Sequence, residues 1–217
     1  MTEPTHNLFD TPCLVVDEQL ARRNIREMQQ AARAAGCTLR PHIKTHKMPY
    51  FAKLQLEAGA VGITSCKISE AEVMAAGGLR DIFIAYPLVG AEKLRRACVL
   101  SGQVDRLILA VDSIAQAEPM AKAAEDHGCV LEVRIEVDCG GGRTGIEMEH
   151  FAPLVAFVEN APGLKLTGLY TFRGLNGGLA DPAQAGAREA ELLAQYRAEA
   201  EKICGRRLEV SGGSSPT

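Results

Sequence analysis

"VGITSCKISEAEVMAAGGLRDIFIAY" (61–86) holds a β-branched run, an Ala-rich stretch and a second β-branched run, in that order. Its two ends read as strands at 61–65 and 82–86, because Val, Ile and Phe suit a pleated, buried surface. Between them Ser69, with Glu72 three residues on, marks a capping box and predicts a helix through about Ala76. Strand, helix and strand in this order make parallel strands joined by a right-handed crossover.

The same alternation extends in both directions. Further strands are predicted at 13–17 (CLVVD), 39–44 (LRPHIK), 106–112 (RLILAVD), 130–138 (VLEVRIEVD), 165–172 (KLTGLYTF) and 208–212 (LEVSG). A helix is predicted over 18–35, with Leu20, Ile25, Met28, Ala31 and Ala32 near helical spacing. Asp112-Ser113 opens another and His127-Gly128 closes it. Two architectures suit such a chain, a doubly wound open sheet and a (β/α)8 TIM barrel. No G-x-G-x-x-G follows the first strand, and the even spacing without a long linker favours the barrel. A complete barrel takes about 250 residues. This chain reaches "SGGSSPT" at 211–217, a turn that normally leads into another element. Residues 1–217 are therefore expected to be the N-terminal portion of a longer protein.

Composition removes several classes of function. The 217 residues are 47% apolar and 24% charged, with a net charge of -3. That charge gives no reason to expect nucleic acid or an anionic membrane as partner. Aromatic residues are 5% with no Trp, which argues against stacking platforms for single strands. Seven cysteines without CxxC pairs read as reduced thiols, hence a cytoplasmic location, and exclude zinc knuckles. No apolar run reaches membrane-span length, and "MTEPTHNLFD" lacks a signal pattern.

In a barrel, chemistry sits at the C-terminal strand ends. Four clusters fall there: "LRPHIKTHKMP" (39–49), "VDCGGGRTG" (137–145), Tyr170 in "GLYTFRG", and "SGGSSPT". A cofactor that needs a lysine, an arginine and a phosphate cradle together is pyridoxal 5'-phosphate.

"RPHIKTHK", "AGAVGITSCKISEAEVMAAGG", "EVDCGGGRTG", "GLYTFRG" and "VSGGSSPT", in this order, resemble the D-threonine aldolase / D-serine dehydratase group. That group belongs to the alanine-racemase-like, fold type III barrel enzymes that use pyridoxal phosphate. The resemblance runs from about Leu8 to Thr217. It implies that Lys44 forms the Schiff base, that Arg143 hydrogen-bonds the cofactor's phenolic oxygen, and that Tyr170 meets the pyridine ring. Ser211, Gly212, Gly213, Ser214 and Ser215 match the phosphate loop. Lys47 is then a paired or solvated neighbour. His42 points to the same side as Lys44 and joins Lys44 and Arg143 in the expected catalytic set. His42 and His46 have H-x3-H spacing, but no metal ligand is assigned within this chain.

The resemblance also implies a division of the chain. Residues 1–17 supply a strand to a C-terminal β-domain, and 18–217 form the cofactor barrel, lacking the closing strand and that domain. Seven barrel strands are then visible, beginning with the lysine strand. Many members bind a divalent metal in the C-terminal domain, and relatives are typically homodimers. Where relatives often have a histidine after the tyrosine, this chain has Phe172 and Arg173. Arg173 either holds an extra substrate carboxylate or faces solvent. The implied activity is a lyase acting on a D-configured 3-hydroxy amino acid, by retro-aldol cleavage to glycine plus an aldehyde. The alternatives are a D-serine dehydratase-like ammonia-lyase, a non-catalytic cofactor-binding barrel, and a barrel enzyme for a phosphorylated metabolite.

Overall fold

The computed structural model describes residues 10–175 and 181–215. Six parallel strands follow one another in sequence order: β1 (Ile63–Ser65), β2 (Asp81–Ile84), β3 (Arg106–Val111), β4 (Leu131–Glu136), β5 (Leu164–Tyr170) and β6 (Glu209–Ser211). Helices α1 (Glu18–Ala34) and α2 (Pro49–Ala58) precede the sheet. Helices α3 (Ile68–Ala76), α4 (Ala91–Ser101), α5 (Ile114–Asp126), α6 (Met148–Asn160) and α7 (Pro182–Cys204) make the crossovers. This is a barrel wall, open among the described residues because β6 pairs only with β5.

Helix ends follow local chemistry. The Asp17 carboxylate accepts the Leu20 amide at 2.9 Å and caps α1. Asp181 caps α7 in the same way, Pro182 opens it, and Gly205 at φ 65° ends it. One strand face is apolar and packs on the helices, through Ile82, Ile84, Leu107, Leu109, Leu131, Val133 and Ile135. Phe151 of α6 and Tyr196 of α7 meet edge-on at 4.9 Å beneath this layer.

The opposite face is different. Phe83, Ile108, Ala110 and Tyr170 form a small apolar group there. Charged residues occupy the rest. Arg40 pairs with Asp81 at 2.6 and 3.1 Å, Arg106 with Glu132 and Glu209, and Arg134 with Glu209. Ion pairs therefore take the place of much of the branched aliphatic filling usual in such barrels.

Two expectations need correction. The predicted strand 39–44 shrinks to a single parallel bridge between His42 and Thr64, followed by a 3-10 turn over Ile43–Thr45. Pro41 has no N–H to donate to a ladder, so only carbonyls pair, Pro41 with the Thr64 amide at 2.8 Å. The stretch 13–17, expected to join a further domain, is exposed, Leu14 fully. Helix α3 starts at Ile68, and Ser69 lies inside its first turn without capping it. Glu70 instead reaches back to the Cys66 amide at 3.1 Å, while Glu72 pairs with Arg96 on α4.

The β5–β6 pairing sets where 211–215 sits, and Gly168 opposite Glu209 permits it. A Cβ at 168 would run into the Glu209 carbonyl, with its carbon 3.0 Å away. Backbone cannot swing aside as a side chain can. Gly168→Ala is therefore expected to destabilise the protein by about 1–3 kcal/mol. Urea denaturation measures this, and an unchanged midpoint would show that the spacing tolerates a methyl group.

Candidate active site

The lysine stretch runs beside β1 and delivers its turn at the C-terminal end of that strand. Ile43 is fully buried and anchors the turn, which leaves Lys44 exposed. The His42 ring accepts the Lys44 amide through Nδ1 at 3.2 Å, and its Nε2 lies 3.8 Å from the Cys66 thiol. Burial, then the Lys44 charge, pushes the His42 imidazole down to about 4. His46 turns elsewhere: Nδ1 accepts the Met48 amide at 3.0 Å, and the ring meets Phe51 edge-on. Lys47 has φ 53° and pairs with buried Glu70 at 3.2 Å.

The glycine turn after β4 is built around its own acid. One Asp138 oxygen accepts the Gly140 and Gly141 amides at 2.7 Å and the Gly142 amide at 3.2 Å. These amides are therefore engaged, and the turn's product is the placement of Arg143. Val137 bridges to Ile146 and closes the loop, so Arg143 stands near its tip. The Arg143 guanidinium lies 5.2 Å from the Phe172 ring centre, and Lys44 Nζ lies 5.1 Å from the same centre. Phe172 thus stands against two cations, and neither forms an ion pair among the described residues.

Tyr170 ends β5 almost fully buried. Its hydroxyl donates to Glu136 at 2.6 Å, and the Thr144 hydroxyl donates to the other oxygen at 2.7 Å. Burial pushes the Glu136 carboxyl up, with the two donors opposing. Burial and the neighbouring Glu136 hold the Tyr170 phenol well above its ordinary range.

Ser211 sits beside Tyr170 in the sheet register, and Gly212 to Ser215 follow over the N-terminal part of α7. Glu189 of α7, 3% exposed, accepts the Gly213 amide with one oxygen and the Arg173 amide with the other at 3.0 Å. A Cβ at Gly212 would lie 2.7 Å from the same carboxylate, so a side chain here would push on Glu189. Arg173 does not face solvent: the residue is 5% exposed, beside Gly140, with no hydrogen-bond partner for Nε and Nη1 among the described residues.

All strands run parallel, so Lys44, Arg143, Tyr170 and 211–215 lie at one mouth. Pro216 and Thr217 of the Gly/Ser ending lie outside the described residues. No group of three His, Cys, Asp or Glu side chains fit to hold a metal occurs among the described residues. Sequence reading missed Glu70, Glu136 and Glu189. Glu136 had a signal, since "LEVRIEV" alternates polar with apolar, and a strand buried on two apolar faces would not. Glu189 had none, standing in an ordinary helical Glu/Ala/Arg stretch.

Three kinds of likeness agree with this geometry. The chain is 34% identical over 186 residues to a 3-hydroxy-D-aspartate aldolase of Paracoccus denitrificans, covering 83% of this chain and 48% of that protein. It is 37% identical over 214 residues to a D-threo-3-hydroxyaspartate dehydratase of Delftia sp. (strain HT23), covering 96% of this chain and 56% of the relative. The crystal structure of a D-threonine aldolase from Filomicrobium marinum superposes with a TM-score of 0.87 at 34% identity, over 94% of this chain and 56% of that one. The chain thus spans about half the length of these relatives. Residues 16–217 match the family model for the alanine racemase N-terminal domain, and the chain belongs to that family.

Proposed function

We propose that this chain is the cofactor-holding barrel of a pyridoxal-phosphate lyase that cleaves a D-configured 3-hydroxy amino acid into glycine and an aldehyde. The observation that carries this reading is the shared mouth, where an amine, a guanidinium and a glycine-serine turn approach from three separate segments of the chain. The names of the relatives support the same substrate class. Residues 18–217 act as the cofactor barrel, and the exposed apolar stretch 13–17 serves as a strand for a second domain.

Pyridoxal phosphate, when bound, supplies an electron sink that weakens the bonds at the substrate's Cα. Lys44 would hold the cofactor at its aldehyde and would exchange a proton with the substrate from its own face. Arg143 would donate hydrogen bonds to the cofactor's phenolic oxygen, and Phe172, against both cations, would keep water from the space between Arg143 and Lys44. Tyr170, whose proton is committed to Glu136, keeps an oxygen lone pair for the ring side. With Gly213 fixed by Glu189, the turn would present its backbone to the cofactor's phosphate. His42, held neutral, adds no third positive charge beside Lys44 and Arg143.

Among D-3-hydroxy amino acids, one with a second carboxylate fits best. The buried, partly unpartnered Arg173 guanidinium is suited to such a group, and leaving it unmatched is costly. A dehydratase remains the second reading, since one similar relative is named so.

Purified protein given pyridoxal phosphate should show a visible band that borohydride removes, with the label fixed on Lys44. Lys44→Ala should lose the band and lower turnover by about a hundredfold to ten-thousandfold. Product analysis on D-3-hydroxyaspartate and D-threonine separates the readings: glycine plus aldehyde supports aldol cleavage, whereas ammonia plus keto acid supports dehydration. Neither product from either compound would remove the lyase.

His42 gives a pH dependence. Its ordinary value is 6.5 and its folded value about 4, so between these the unfolded chain takes up a proton that the folded one refuses. The associated stability is present above 6.5 and is lost as pH falls toward 4. His42→Gln should therefore lose less thermal stability than the parent between pH 7 and pH 5, about the upper part of that window. Equal losses in both proteins would refute the burial of a neutral ring.

A further inference from the structure

We infer that Glu70 decides which of two neighbouring lysines is available to the cofactor, by tying Lys47 into an ion pair and leaving Lys44 free. The inference rests on the cofactor reading and concerns how this chain chooses its attachment point. Lys44 and Lys47 are three residues apart, on one turn, at one mouth, and both are exposed. Access alone does not discriminate between them. Partners do.

Lys47 Nζ lies 3.2 Å from Glu70 Oε1, and the Glu70 side chain is only 8% exposed. The second oxygen of Glu70 accepts the Cys66 amide, which locks the carboxylate to the first turn of α3. Burial pushes the Glu70 carboxyl up, but the Cys66 amide and Lys47 outweigh it and leave it below its ordinary value. Glu70 therefore stays ionised at neutral pH. The backbone cooperates: Lys47 is the non-glycine residue with positive φ among those described, and its amide bonds Ile43 O at 2.7 Å. That reversal carries Lys47 back over α3, whereas Lys44 continues toward Phe172. Cys66 also touches His42, whose ring accepts the Lys44 amide, so the turn is held from both ends by one short circuit.

The discrimination is positional. For attachment, an amine nitrogen donates its lone pair to the aldehyde carbon, a C=N bond forms, and the aldehyde oxygen leaves as water. The ion pair to buried Glu70 holds Lys47 Nζ over α3, whereas Lys44 Nζ reaches to 5.1 Å from the Phe172 ring centre with no carboxylate to hold it among the described residues. Glu70 is thus a positioning residue that acts through Lys47.

Borohydride reduction of protein loaded with pyridoxal phosphate, followed by peptide mass mapping, reads the attachment point directly. The parent should carry its label on Lys44. Lys44→Ala should carry none on Lys47, because Glu70 still holds that amine. Adding Glu70→Gln to Lys44→Ala should restore a label, now on Lys47. A label on Lys47 in Lys44→Ala alone overturns the inference and leaves the cofactor reading intact. So does a double variant that keeps the parent's circular dichroism yet stays unlabelled. If Glu70→Gln unfolds the chain, the Lys44→Ala arm still decides. A parent with no label at all overturns both.

Discussion

Parallel pairing is the constraint from which the rest of the molecule follows. Each strand must be re-entered from the same end, so each is followed by a helix that carries the chain back along the outside. Every strand's C-terminal end then lies on one rim. Lys44, Arg143, Tyr170 and Ser211 are far apart in the chain and come to one mouth for that reason alone. A site assembled this way needs no long-range sequence signal, only a strand end for each group.

On that rim the loops are held by acids. Glu70 takes the Cys66 amide and the Lys47 ammonium, and Asp138 takes three successive glycine amides. Glu136 takes two hydroxyls, from Tyr170 and Thr144, and Glu189 takes two amides from loops after β5 and β6. Hydrogen bonds to carboxylates are stronger than neutral ones, and each of these binds two or more donors at once. The consequence is a set of cationic groups presented by loops pinned in place by carboxylates. Lys44 and Arg143 remain available, with Phe172 against both.

The barrel interior works by similar means lower down. Arg40, Arg106 and Arg134 interleave with Asp81, Glu132 and Glu209, reaching across strands β2, β3, β4 and β6. Such pairs cost desolvation and gain little net stability, but they are directional. They tie the register of distant strands together, and register sets the height of each strand end on the rim.

The order of strands and helices, the parallel half-barrel they build, and four of the rim segments were legible in the chain because they depend on local periods and short motifs. Parallel strands announce themselves by β-branched runs separated by Ala-rich helices, and a Gly-rich turn is glycine-rich wherever it ends up. The failures were equally physical. Pro41 reduced a predicted strand to one bridge, and Glu70 displaced Ser69 as the organiser of α3 because its carboxylate reached an amide that a serine there could not. Glu136 and Glu189 acquire their roles only when β4, β5, β6 and α7 are brought side by side. A carboxylate's partner is set by distance through space, and the chain around residue 189 carries no trace of a glycine two dozen positions further on.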